Sequence, residues 1–139
     1  MLTFKLLDNP KEITALVKTI NRNTSEEVLE QRISEMLSQN YECIEMFLDK
    51  ELIGCSGLWY QTRHYSGRCV EPDHVVVLEE FRGKGYGKNL IDECILHAQN
   101  KGHRVAELNS YIADNKAHKF WEKLGFYKLG YHYQKKIEL

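Results

Sequence analysis

Apolar residues recur along this chain in two rhythms, and their order predicts the layout of the fold. Ile13, Leu16, Val17 and Ile20 fall at i, i+3, i+4 and i+7, one face of a helix. Asn9 and Pro10 read as its N-cap and first helical position, with Glu12 three residues after Asn9. Leu29, Ile33, Met36 and Leu37 form the stripe of a second helix, opened by a Thr24/Glu27 capping-box pattern. The rhythm then changes to period two. Ile44, Met46 and Leu48 share one side of a strand, Asp49-Lys50 make a turn, and residues 52–60 read as the paired strand of a hairpin.

After Gly67, residues 70–78 (VEPDHVVVL) read as a strand whose end is apolar at successive positions, hence buried on both faces. Leu90, Ile91, Cys94, Ile95 and Ala98 mark a third helix that ends near 100–102. Residues 103–109 form a short strand. Ala117, Phe120, Trp121 and Leu124 give a last helix stopped by Gly125. Residues 126–139 contain the final strand or strands. The predicted order is β-α-α-β-β-β-α-β-α-β(β). It describes an α/β fold, with a mixed α+β sheet of six or seven strands flanked by about four helices, in a single domain over 1–139.

The 139 residues carry 19 basic and 20 acidic side chains, a formal net charge of −1. A chain so balanced offers no global field for nucleic acid or an acidic membrane; any positive patch must be local. No apolar run approaches the roughly 20 residues that span a bilayer. The N-terminus lacks a signal-peptide layout, so the expected location is the cytoplasm. Cys43, Cys55, Cys69 and Cys94 are far apart, with no C-x-x-C and no zinc-finger spacing, which predicts buried free thiols and no metal.

Charge and glycine concentrate at one place. Three of the nine glycines, Gly83, Gly85 and Gly87, lie within five residues, interleaved with Arg82, Lys84 and Lys88. A helical stripe starts straight afterwards. A strand that runs through a glycine loop into a helix leaves backbone N–H groups unpaired at the helix start. With the helix dipole and the basic side chains they form a cradle for phosphate or pyrophosphate. The residues do not match a P-loop, because Gly87-Lys88 is followed by Asn89. They do not match G-x-G-x-x-G either, because Lys88 stands at the third glycine position counted from Gly83 and Gly85.

Arg82-x-x-Gly85-x-Gly87 after a hydrophobic strand resembles the acyl-CoA pyrophosphate loop of the GCN5-related N-acetyltransferase (GNAT) family. The segment 115–130, with Asn115, Ala117, Phe120, Leu124, Gly125 and Phe126, resembles a second motif of that family. The resemblance covers nearly the whole chain and implies a GNAT-like acyltransferase fold with acetyl-CoA as co-substrate. It further implies an enzyme that transfers an acetyl group directly to a primary amine, with a small-molecule acceptor favoured. A protein or peptide acceptor, or an acyl-CoA-binding module without turnover, is the alternative. The balanced charge argues against nucleic-acid and membrane partners, and the family resemblance is compatible with a homodimer.

Carried over residue by residue, the resemblance assigns cofactor binding to Arg82, Gly83, Lys84, Gly85, Tyr86, Gly87 and Lys88. It adds the backbones of Val76, Val77 and Leu78, the side chain of Asn115, and Phe120 and Trp121 on the last helix. The amide of Val77 or Leu78 is the expected oxyanion donor. Amine transfer needs a base, and Asp73, His74 and Glu71 are the candidates. Alternation along a strand predicts that Asp73 and His74 face opposite sides and that Glu71 and Asp73 share one. Trp121 stands where the family usually has tyrosine as the acid, and an indole N–H is not a usable acid. Tyr127, Tyr111 or solvent would take that role. Trp59, Tyr60, His64 and Tyr65 supply an acceptor wall or cross-strand packing.

Overall fold

The computed structural model describes residues 1–138. The chain divides into two compact units, Met1–Glu107 and Leu108–Leu139. The first holds β1 (Leu2–Leu6), α1 (Lys11–Lys18), α2 (Glu26–Leu37), β2 (Tyr41–Leu48), β3 (Glu51–Arg63), β4 (Gly67–Val77), α3 (Tyr86–Asn100) and β5 (Val105–Ala106). One 3-10 turn, Glu79–Phe81, links β4 to the glycine loop. The second unit holds α4 (Asn115–Lys123).

The strands form one sheet in the order β1-β2-β3-β4-β5, antiparallel except for the parallel β4–β5 pair. Asp49 and Lys50 both have positive φ, 47° and 75°, which closes the β2–β3 hairpin in two residues. The sheet is covered on both faces. Ile13, Leu16 and Val17 of α1 and Leu29 and Ile33 of α2 pack with Tyr41, Cys43, Cys55 and Val76. Leu90, Cys94 and Ala98 of α3 pack with Ile44, Met46, Ile53, Leu58 and Val70 on the other face. Burying each such aliphatic side chain contributes about 1.5–3 kcal/mol, so the two helical layers fix the sheet between them.

Local chemistry sets the helix starts. α1 starts one residue later than the Asn-Pro signal predicts: Pro10 is its N-cap and Lys11 its first residue, while Asn9 Oδ1 accepts from the Lys11 amide at 3.1 Å just ahead of it. The cap of α2 is Ser25, not Thr24: its Oγ accepts from Val28 N at 3.2 Å. Thr24 is drawn away, since its hydroxyl donates to Asn21 Oδ1 at 2.9 Å. Five strands form among the described residues where six or seven were predicted. The missing ones fall in the tail. Tyr127, Leu129, Tyr131, Tyr133 and Ile137 alternate with polar residues, but a strand exists only with a ladder partner, and residues 126–138 have none among the described residues.

Candidate active site

The glycine loop is built as an anion cradle. Gly83 and Gly85 have φ of 76° and 85°, a region where a Cβ costs energy. Gly85 is the N-cap of α3 and offers no side-chain cap, and the first turn contains no acidic residue. Asn89 N donates to Gly85 O at 3.2 Å, the first bond of the helix. The amides of Tyr86, Gly87 and Lys88 therefore have no acceptor within the helix. A Cβ built on Gly83 or Gly85 would meet nothing within 4 Å, so the space above the loop is open to a ligand. Arg82, Lys84 and Lys88 surround it with exposed positive charge. Lys88 Nζ also donates to Asp92 Oδ2 at 2.6 Å.

The strand before the loop has a free edge within the first unit. β5 pairs with β4 only at Cys69 and Val70, and Glu107 N donates to Val70 O at 3.0 Å. The register of this parallel pair ends at Val70 opposite Ala106. Leu78 N donates to Ile53 O at 2.9 Å, so the Leu78 amide is occupied by β3. Gly54 opposite Val77 lies between bonded pairs, which turns the Val77 N–H away from β3 toward the free edge. Arg82 Nε donates to Val77 O at 2.8 Å and ties the loop to that edge.

Upstream, β4 bulges. Gly57 opposes Asp73 and Cys55 opposes Val76, so His74 and Val75 together face Ser56. His74 has φ of 37°. The extra residue breaks the alternation and corrects the expectation that Asp73 and His74 face opposite sides. Trp59 Nε1 donates to Asp73 Oδ2 at 3.0 Å, Trp59 packs on Tyr41 at 4.8 Å between ring centroids, and the Tyr41 hydroxyl shares a hydrogen bond with His74 Nε2. Both residues thus join one cluster. Glu71 sits opposite Trp59, on the face shared with Asp73 as predicted. Burial holds the His74 imidazole below its ordinary pKa and, with nearby Cys43, pushes the Tyr41 phenol far above its own. Both are neutral at neutral pH. His74 Nδ1 is sealed from solvent.

In the second unit, α4 starts on Asp114, whose Oδ1 accepts from Ala117 N at 3.0 Å, so Asn115 is not needed as the cap. The helix ends in a Schellman motif. Gly125 has φ of 94°, Gly125 N donates to Glu122 O at 3.1 Å, and Phe126 N donates to Trp121 O at 3.1 Å. Trp121 stacks edge-on against Phe120 at 4.9 Å and Phe126 at 5.4 Å. Its ring is the hydrophobic partner that accompanies such an end, which accounts for tryptophan here as packing.

Residues 11–126 match the model of the acetyltransferase (GNAT) family. The chain belongs to this family. A curated relative, an uncharacterised N-acetyltransferase of Methanocaldococcus jannaschii, is 36% identical over 57 residues, 41% of this chain. That alignment spans 25% of the relative's own length. The aminoglycoside N-acetyltransferase AAC(6')-Iy, solved in complex with CoA, superposes with a TM-score of 0.86 at 18% identity, covering 99% of this chain and 96% of that one. Ribosomal-protein-alanine N-acetyltransferase from Brucella melitensis gives 0.81 at 20%, covering 99% and 100%. Glucosamine-6-phosphate N-acetyltransferase from Arabidopsis thaliana gives 0.73 at 16%, covering 99% of both. These likenesses show the GNAT fold.

Within the GNAT frame, the structure brings Arg82 to Val77 and gathers Glu71, Asp73, His74 and Trp59 on one face. Tyr60 and Tyr65 are occupied elsewhere: their hydroxyls donate to Glu42 Oε1 at 2.8 Å and Glu107 Oε2 at 3.0 Å. Sequence reasoning missed Tyr41 and Gly57. Tyr41 is the first residue of β2 and carries no motif. The signal for Gly57 was faint, a second glycine inside a strand.

Proposed function

We propose that this protein is an acetyl-CoA-dependent N-acetyltransferase that passes an acetyl group directly to the primary amine of a small molecule. The observation that carries the reading is the start of α3. Three amides without helical partners, no capping side chain, no acid in the first turn and two left-handed glycines face open space ringed by three basic residues. That donor set suits a pyrophosphate. Acetyl-CoA, when bound, supplies the activated acetyl carbonyl.

Gly83 to Lys88 hold the pyrophosphate through their main chain, with Arg82 anchored on Val77. The free edge of β4 beside Val77 lies along the amide-bearing arm of the co-substrate; Val76, expected to share this role, stands in the pair opposite Cys55, whose backbone groups face β3. The outward N–H of Val77, rather than that of Leu78, donates to the carbonyl oxygen as negative charge develops on it. Asp73 is exposed and Glu71 half-buried, and both lie on the face of Trp59. In this reading they hold the substrate's ammonium group and take its proton, directly or through water. His74 is half-buried, with Nδ1 sealed and Nε2 bonded to Tyr41, and serves less well as the base. The family resemblance assigns cofactor contacts to Asn115, Phe120 and Trp121, and it leaves Tyr127 or solvent to return the final proton.

The family match crosses from the first unit into the second, which supports one N-acetyltransferase domain over 1–139. Among the described residues no helix is long and apolar enough to cross a membrane. Four buried free cysteines suit a reducing compartment, in keeping with the cytoplasm. Aminoglycoside acetyltransferases among the structural relatives support a small cationic amine as acceptor. A homodimer is compatible with this reading.

The test is thiol release from acetyl-CoA over a chemically diverse panel of amines and peptides. Steady turnover on small amines supports the proposal. Turnover confined to peptides moves the acceptor class, and binding without any thiol release leaves only a cofactor-binding module. Asp73→Asn, Glu71→Gln and His74→Ala, compared by pH profile, then assign the base.

A further inference from the structure

We propose that Tyr41 and His74 form a latch across β3 that holds the β4 bulge and thereby keeps the Val77 amide turned toward the free strand edge. This makes Tyr41 a positioning residue. The catalytic consequence rests on the acetyltransferase reading above; the latch itself does not.

His74 has a backbone conformation that side chains with a Cβ rarely adopt, with φ of 37°. Such an outlier persists only when its surroundings over-determine it. The surroundings here form a closed ring of contacts. The imidazole of His74, on β4, reaches over β3 to share a hydrogen bond with the Tyr41 hydroxyl on β2. It can do so because the β3 residue beneath is Gly57. A Cβ there would sit 2.3 Å from His74 Nε2 and 2.8 Å from the Tyr41 ring. Tyr41 packs on Trp59, the Trp59 indole N–H donates to Asp73 Oδ2 at 3.0 Å, and Asp73 Oδ1 accepts from the His74 amide at 2.8 Å. The ring begins and ends on His74, and it clamps both the bulged residue and the one before it.

The bulge sets the phase of everything downstream. With it, Ile53 O takes the Leu78 amide and the Val77 amide points outward. Without it, the register of Gly57 opposite Asp73 would continue, and Ile53 would face Val77 instead. The Val77 N–H would then be drawn toward β3 and lost to the free edge. Burial keeps both partners of the latch neutral, so the hydrogen bond does not depend on a charge that neutral pH could remove.

The experiment compares wild type, Tyr41→Phe, His74→Ala and the double variant by amide hydrogen exchange read by NMR, alongside steady-state kinetics with acetyl-CoA. In wild type the Leu78 amide should be protected and the Val77 amide should exchange fast. Tyr41→Phe should lower Leu78 protection at least tenfold. It should also reduce kcat at least tenfold while leaving KM for acetyl-CoA, set by residues 82–88, within twofold. The double variant should be no worse than the more damaging single one. Wild-type protection and kcat in Tyr41→Phe would overturn the latch, as would strictly additive losses. One tightly held zinc per chain would also overturn it, by giving His74 to Cys43 and Cys55, whose sulfurs and a His74 nitrogen lie within 4.8 Å of one another. If wild type releases no thiol from acetyl-CoA, the functional reading falls, and the exchange comparison still decides the latch.

Discussion

The glycines of the loop and the glycine of the bulge do opposite jobs. Gly83 and Gly85 are needed for their backbone angle: φ is 76° and 85°, and a Cβ on either would touch nothing within 4 Å. Gly57 is needed for its missing volume. Its φ is unremarkable for a strand, but a Cβ would collide with His74 and Tyr41. The loop is therefore specified by local sequence, and the bulge by side chains that arrive from two other strands. A site built from both inherits two kinds of fragility, one of conformation and one of packing.

Substitutions separate them. Gly57→Val should have the largest effect on stability. Overpacking a filled core costs about 1–3 kcal/mol, so the denaturant midpoint should fall clearly, and turnover with it. An unchanged midpoint would mean that the space over Gly57 is not filled as described. Gly85→Val should instead strain the backbone by about 1–2 kcal/mol and raise KM for acetyl-CoA at least tenfold. Equal losses of midpoint and cofactor affinity in both variants would erase the contrast.

A third substitution probes the packed side through pH. Glu45 is fully buried, neither of its oxygens has a hydrogen-bond partner, and Lys5 Nζ is 3.9 Å away. Burial, and then neighbouring Glu12, push its carboxyl up to about 7. The folded state thus binds a proton that the unfolded state releases at ordinary carboxyl pKa, so stability falls as pH rises from about 4.5 through 7. Glu45→Gln should flatten this fall, gaining roughly 1–3 kcal/mol at pH 8–9 and little at pH 5. An unaltered slope in urea unfolding across that range would contradict it. The smallest effect belongs to Lys88→Ala. Its exposed pair with Asp92 is worth about 0.3–0.5 kcal/mol, so the melting temperature should hardly move while KM for acetyl-CoA rises a few-fold.

The same contrast explains what could be read in advance. The helix stripes, the Asp49-Lys50 turn and the glycine loop are local, and residue types alone announce them. The shift of the α2 cap to Ser25 needed knowledge of a bond from Thr24 to Asn21. The bulge needed three strands at once, so period-two alternation placed Asp73 and His74 on opposite faces. The tail pattern from Tyr127 to Ile137 promised a strand, yet alternation states a preference and cannot provide the ladder partner. Trp121 stands where the family's acid does, and its helical spacing already favoured packing; the Schellman contact with Phe126 names the partner that spacing could not.

The central claim is that main-chain N–H groups at the start of α3 grip the pyrophosphate. The most direct measurement is an amide NMR titration of the whole chain with CoA. The largest shifts are expected at residues 83–88, with Val77 following. Saturable binding that shifts amides elsewhere and leaves 83–88 still, or no binding at millimolar CoA, would contradict it.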